Sequence, residues 1–182
     1  MARYVAFLRG INLGSKRRVP MGDLRAALAE AGYEDVRTLL QSGNVVLTST
    51  AEAAELERDL GDVLGRTFGF DIAVVVRTRD GLADVIARDP FAGEADDPAR
   101  YQVSFLSAKP KAASVRELER ADVAPERVSM RGCEVYAWHP DGLARSRLAA
   151  LITARRLGVE VTARNWRTLT KLLELADEGG PD

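Results

Sequence analysis

Apolar and polar positions follow two rhythms along this chain, and the changes of rhythm mark out its elements. The apolar run at residues 4–8 predicts a first strand. Met21, Leu24, Leu28 and Ala31 then recur at helical spacing behind Pro20, with Gly32 where a C-terminal cap belongs. Residues 36–41 and 45–48 read as two strands joined by the polar turn Ser42-Gly43-Asn44. Ser49 and Glu52 have the capping-box spacing ahead of a stripe of Leu56, Leu60, Val63, Leu64 and Thr67 that ends near Gly69. Residues 72–76 complete the series as a fourth strand. The order β-α-β-β-α-β is the split β-α-β arrangement of ferredoxin-like domains.

The same order comes round again. Thr78 is placed to cap a short helix with the face Leu82, Val85 and Ile86, stopped by Pro90. Residues 91–100 are a polar connector, followed by a strand at 101–106 in which Phe105-Leu106 echoes Phe7-Leu8. A short helix around Val115 and Leu118, a strand near Val128, a turn at Arg131-Gly132 and a strand at 134–138 come next. Leu148, Leu151 and Ile152 predict a helix closed by Gly158, leading to a strand at 159–163. The last helix carries the stripe Trp166, Leu169, Leu172, Leu173 and Ala176, and an acidic tail at 177–182 reads as frayed.

The fold class expected is therefore α+β, two successive ferredoxin-like plaits with extra helices on the second. The domains expected are residues 1–78 and 79–182. Strands such as Ile72-Ala73-Val74-Val75-Val76 are apolar on both faces, so both faces should be covered, by the other domain or by a second copy of the chain.

Composition changes this picture little and charge narrows it. The chain has 182 residues, 46% hydrophobic and 29% charged, which is ordinary for a globular protein. Its 26 basic and 27 acidic side chains leave a net charge of −1, without the basic excess of a general nucleic-acid binder. Any anion site must be local. Only Lys16, Lys109, Lys111 and Lys171 are lysines, so arginine is the default cation here and a surface arginine says little by itself. The single cysteine, Cys133, excludes an internal disulfide and any multi-cysteine metal site. With no apolar run long enough to span a bilayer and no leader pattern, the expectation is a cytoplasmic protein without a membrane partner.

Candidate chemistry gathers at the end of the first strand. Arg9-Gly10-Ile11-Asn12-Leu13-Gly14-Ser15-Lys16-Arg17-Arg18 carries two glycines, an asparagine and three consecutive cations just ahead of a helix. In a split β-α-β sheet the first two strands run parallel, so this loop should lie beside Gln41-Ser42-Gly43-Asn44. There Arg9 and Lys16 would supply charge and Gly10, Gly14 and Gly43 close backbone approach, while Asn12, Ser42 and Asn44 would offer short hydrogen-bonding groups. The partner expected is an anionic small molecule or, through Arg17 and Arg18 with Arg164 as a further contact, nucleic acid. The plainer reading is a loop tied down by its asparagines with solvated cations.

The loop is not a nucleotide triphosphatase phosphate loop, because its glycine spacing is one residue short and serine precedes lysine. The strand Asn44-Val45-Val46-Leu47-Thr48 has no aromatic, unlike the stacking strands of RNA-recognition motifs. A second constellation, Thr162-Ala163-Arg164-Asn165-Trp166-Arg167, offers Arg164 and a helix start at Asn165 to an anion, or simply a cap and a core tryptophan. His139 and Cys133 lie too far apart in an extended strand to make a dyad. No nucleophile, base, metal or cofactor is singled out, so enzymatic activity is left open. A non-catalytic module, dimeric through its apolar strands, is the third possibility.

These residues resemble a known family. Tyr4 to Gly14, with Lys16, Val19-Pro20-Met21 and Leu24, resembles the opening signature of the bacterial domain-of-unknown-function family 1697. Gln41-Ser42-Gly43-Asn44-Val45-Val46 is similar to its second signature. Glu134-Val135-Tyr136, Ser146 and Thr162 to Thr168 are similar to its C-terminal ones. The resemblance implies two successive ferredoxin-like plaits and no assigned activity. Ser15-Lys16-Arg17-Arg18 departs from it, being more basic than the glycine- and asparagine-rich version usual there.

Overall fold

The computed structural model describes residues 1–178, so most of the tail expected to fray lies outside the described residues. Among the described residues, eight strands and six helices follow one another in two matching series. The first is β1 (Ala2–Leu8), α1 (Met21–Glu30), β2 (Glu34–Leu39), β3 (Asn44–Ser49), α2 (Ala53–Phe68), β4 (Val74–Thr78) and α3 (Arg79–Ala87). The second is β5 (Tyr101–Leu106), α4 (Ala112–Glu119), β6 (Arg127–Arg131), β7 (Glu134–Trp138), α5 (Ala154–Leu157), β8 (Val161–Asn165) and α6 (Trp166–Asp177). Each series makes a four-stranded antiparallel sheet, ordered β2-β3-β1-β4 and β6-β7-β5-β8. Both orders are that of a split β-α-β plait, so the α+β reading holds. Two compact units emerge, Met1–Asp84 with Lys171–Asp182, and Val85–Thr170.

In the first unit one sheet face packs on α1 and α2, giving a core of Tyr4, Ala6, Leu8, Val45, Leu47, Leu24, Leu28, Leu56, Leu60 and Leu64. Alternation puts Val5, Phe7, Val46 and Val75 on the opposite face, and these too are buried within one chain. The second unit repeats the plan, with Leu106, Leu118, Val123, Val135, Ala137, Leu148 and Leu157 in its core.

Several boundaries differ from expectation for physical reasons. β4 and β8 each begin and end two residues later than the apolar run predicts. Arg77 and Thr78 stay in the ladder opposite Val5 and Tyr4, and Arg164 and Asn165 opposite Val103 and Gln102. Each strand then hands over to a helix through a side-chain cap, Thr78 Oγ1 accepting from Gly81 N at 2.9 Å and Asn165 Oδ1 from Thr168 N at 2.9 Å. The Ser49/Glu52 capping box does not form. Glu52 itself is the N-cap of α2 without a side-chain bond, and Ser49 Oγ accepts from Ala51 N instead.

The long helix predicted from Leu148 to Gly158 is also absent. Residues 147–151 form turns, and only the single turn α5 follows, capped by Thr153 and closed by Gly158. Periodicity there reflects turns packing three apolar side chains, with amides held from outside by Glu126.

Candidate functional site

The loop after β1 is built around one side chain, Asn12. Its Oδ1 accepts from Val19 N at 2.8 Å, and its Nδ2 donates to Val19 O at 2.9 Å and to Gln41 O at 2.8 Å. Its own N–H donates to Arg17 O at 3.0 Å. Its φ of 54° lies in the left-handed region, which asparagine tolerates better than most residues. Ile11 and Val19 are buried on either side of this knot, while residues 13–18 stand exposed between them. Thus the loop is pinned at its base and presented at its tip.

The β2–β3 connection meets the same base. Leu8 N donates to Gly43 O at 2.8 Å, and Phe7 pairs with Asn44 in the ladder. Gly43 has a φ of +78°, and a Cβ there would sit 2.7 Å from both Leu8 Cβ and Ile11 Cδ1. Only glycine suits that position. Asn44 is fully buried, its Nδ2 donating to Leu39 O at 2.8 Å and to Ser42 Oγ at 3.0 Å. The two segments predicted to adjoin do so, tied by Asn12 to Gln41 and by Leu8 to Gly43.

Beside this junction opens a cleft of about 590 Å³ lined by Asn12, Gly14, Arg18, Val19, Pro20, Met21 and Gln41. Arg18 on its wall and Lys16 nearby on the tip are exposed. Arg17 turns back, its guanidinium donating to Asp71 O and lying 4.9 Å from the centre of the Phe70 ring. Arg9 is half-buried, with its N–H donating to Ala73 O at 2.9 Å. Asn12 and Asn44 spend the groups named above on the protein itself, so they shape the site more than they offer it. Arg18, expected to meet nucleic acid and not the small anion, is the cation among the residues that line the cleft.

Arg164 and Asn165 belong to the second unit. Asn165 Oδ1 takes both the N–H and the Oγ1 of Thr168, the latter at 2.7 Å, as a helix cap does. The buried Arg164 guanidinium donates from Nη1 to Thr162 Oγ1 at 2.9 Å and to Ala163 O at 2.8 Å, and desolvation lowers its pKa to about 10. Trp166 stacks on Tyr101 at 4.7 Å between ring centres. The cap and the packed tryptophan are both present.

Sequence reasoning missed one cluster. Glu126, His139 and Ser146 converge in the second unit, with His139 Nδ1 2.7 Å from Glu126 Oε1 and 3.0 Å from Ser146 Oγ. The Ser146 hydroxyl donates to Glu126 Oε1, and Glu126 Oε2 accepts from Arg147 N and Leu148 N, each at 3.0 Å. Burial alone would raise the Glu126 carboxyl. The bonds from Ser146, His139 and Leu148 outweigh that and hold it below its ordinary value. A serine–histidine–carboxylate relay uses both imidazole nitrogens, one toward each partner. Here serine and carboxylate share Nδ1, so the trio clamps the 146–149 turn and is not a relay. Spacings of 13 and 7 residues across two loops give no local pattern by which to find it.

Among the described residues no three His, Cys, Asp or Glu side chains are grouped to hold a metal ion, and no helix is long and apolar enough to cross a membrane. No curated protein matches the chain. Its fold is similar to the solved structure of the conserved bacterial protein SP0830 from Streptococcus pneumoniae, with a TM-score of 0.79 and 22% identity over 96% of this chain and 98% of that one. The model of a family described as protein of unknown function (DUF1697) matches residues 1–136, three-quarters of the sequence and the whole of the loop, turn and cleft described above. The chain belongs to that family.

Proposed function

We propose that this protein binds a phosphate-bearing or otherwise anionic ligand in the cleft between the 9–18 loop and the β2–β3 turn. One observation carries the reading: the Asn12 knot holds an exposed tip bearing Lys16 and Arg18 against a concavity of about 590 Å³. Its volume lies in the range of small-molecule sites, roughly 300–1,000 Å³. Lys16 and Arg18 neutralise charge, while Gly14, exposed at a φ of +70°, lets the backbone come close. Arg9, Gly10, Ser42 and Gly43 hold the edge in shape. The half-buried lone Cys133 suits the cytoplasm, where we place the protein. The first plait, residues 1–78, carries the site.

Thermal melting against phosphate and pyrophosphate tests this. A ligand at a hundred times its dissociation constant adds about 2.7 kcal/mol, and so raises the midpoint by roughly 5–10 °C. That rise should be absent in Arg18→Ala. No shift with any phosphate would sink the reading. Binding that falls steeply with salt, and needs an oligonucleotide, would replace it with nucleic-acid binding through the loop edge.

A further inference from the structure

We propose a separate site in the second plait for a small carboxylic acid whose apolar body is the size of a single ring. The two plaits differ in what accompanies their first helix. In the first, the sixteen-residue α2 shares one core with α1 through Leu24, Leu28, Leu56, Leu60 and Leu64. In the second, the corresponding α5 is a single turn, Ala154–Leu157. A cavity of about 160 Å³ lies between α4 and α5, lined by Leu118 and Ala121 from the α4 side and by Leu151 and Leu157 from the other. Leu118 and Leu157, at 3% and 2% exposure, form its floor. Glu117 and Arg156 line the same cavity and stand at its mouth, 70% and 50% exposed, with Arg156 Nη1 donating to Glu117 Oε1 at 3.2 Å.

Volume and walls set the body of the ligand. Water against leucine and alanine side chains finds no hydrogen bond there, so an apolar group that displaces it is favoured. An apolar cavity of about 150 Å³ accepts one benzene-sized molecule, and sites for drug-sized ligands run to roughly 300–1,000 Å³. One ring, or a branched chain of that size, fills the space. The mouth sets the head group. A guanidinium offers five N–H donors in a fork that suits a carboxylate, and Glu117 takes one of them through a single bond. Ion pairs this exposed are worth little, so a ligand carboxylate replaces Glu117 at small cost. The backbone under Arg156 is fixed, its N–H donating to Thr153 O at 3.1 Å within the Thr153 cap. Glu117, the more exposed of the pair, is the weaker anchor for an amine.

Titration of the full chain with benzoate, benzyl alcohol and benzylamine, followed by amide chemical shifts, tests the site, since the three share a ring and differ in head group. Benzoate should bind with a dissociation constant of about 1 mM or below, as small ligands of ordinary efficiency do, and should move the amides of residues 117–121 and 151–157. Benzyl alcohol should bind about tenfold more weakly for want of the charge-assisted bond, and benzylamine no better than the alcohol. Arg156→Ala should bring benzoate down to the level of the alcohol. Ala121→Phe or, on the opposite wall, Leu151→Trp should fill the cavity from a half-buried position and abolish binding of both. Arg18→Ala should change neither, which separates this site from the anion cleft of the first plait. Benzoate binding only above about 10 mM, affinity no better than that of benzyl alcohol, or tighter binding of benzylamine overturns the inference. So does benzoate binding that survives both cavity-filling variants or is lost in Arg18→Ala.

Discussion

The two plaits end their opening strands alike and then part company. Leu8 N donates to Gly43 O at 2.8 Å and Arg9 N to Ala73 O at 2.9 Å; Leu106 N donates to Cys133 O at 2.9 Å and Ser107 N to Glu160 O at 3.1 Å. From these matched anchors the first plait uses residues 9–20 to reach its helix, and the second only residues 107–111. The neighbouring strand connections are residues 40–43 and 132–133. A five-residue connection is enough for this scaffold, so the fold does not require the longer one. The added length holds the Asn12 knot, three cations and the cleft. Connections longer than the scaffold needs are where binding residues concentrate.

Each plait also ties one irregular loop with one side chain, and removing those ties should produce the largest effects. In the second plait, Glu126→Ala strands the Arg147 and Leu148 amides and removes a carboxylate bonded to Ser146 and His139. A loss of about 4 kcal/mol is expected, since breaking a buried, charge-assisted network typically costs 3–5. Denaturant titration checks it, and a loss below half that would mean the turn closes without its clamp. Asn12→Ala in the first plait removes three side-chain hydrogen bonds and places alanine at a φ of 54°. About 3 kcal/mol is expected, together with loss of phosphate binding.

The clamp and the knot differ in how they answer to acid. Glu126 titrates below its ordinary value in the folded protein, so its contribution is present above the unfolded carboxylate pKa and is lost as pH falls through the lower folded one. Melting of the wild type should therefore weaken as pH drops below about 4, and Glu126→Gln should lose much of that dependence. Asn12 does not titrate, so Asn12→Ala should melt at a lower temperature with an unchanged slope against pH. Parallel pH curves for wild type and Glu126→Gln would remove Glu126 as the cause.

Turn glycines give a smaller and more pointed contrast. Gly43 and Gly132 occupy the corresponding turns with φ of +78° and +65°. A Cβ at Gly43 collides with Leu8 and Ile11 at 2.7 Å, whereas at Gly132 it meets only Glu134 Oε2 at 3.7 Å. Gly132→Ala should cost about 1 kcal/mol, the left-handed penalty alone, and Gly43→Ala about 2–3 once overpacking is added. Equal costs would show that the loop shifts freely away from the turn, and the rigid edge would be lost with it.

How far the sequence reached follows from the same contrast. Topology made the meeting of loop and turn legible, because parallel first and second strands leave it nowhere else to be. The caps at Thr78 and Asn165 were legible because capping is local. Periodicity misled at Leu148, Leu151 and Ile152, where turns also bring every third or fourth residue inward. It ended β4 and β8 early, because Arg77 and Arg164 are polar yet still pair. The Glu126 clamp was invisible, since only the folded chain brings residues 126, 139 and 146 together. Lys16 was assigned to the small anion and Arg18 to nucleic acid because three adjacent cations look alike until the knot decides which one lines the cleft.

The smallest expected effect on stability is also the sharpest test of the site. In a chain where 22 of 26 basic residues are arginine, a guanidinium on the surface says nothing until its removal is measured. Arg18→Ala and Arg156→Ala both delete exposed arginines, the second from an ion pair to Glu117 at 3.2 Å whose partners are 50% and 70% exposed. Solvent screening leaves such pairs worth little, so both variants should melt within about 0.5 kcal/mol of wild type. They should part only when pyrophosphate is added, the Arg156 variant rising with wild type and the Arg18 variant staying put. If the two rise together, the cations of the longer loop are ordinary surface charge. The extra residues 9–20 would then differ from 107–111 in length and not in purpose.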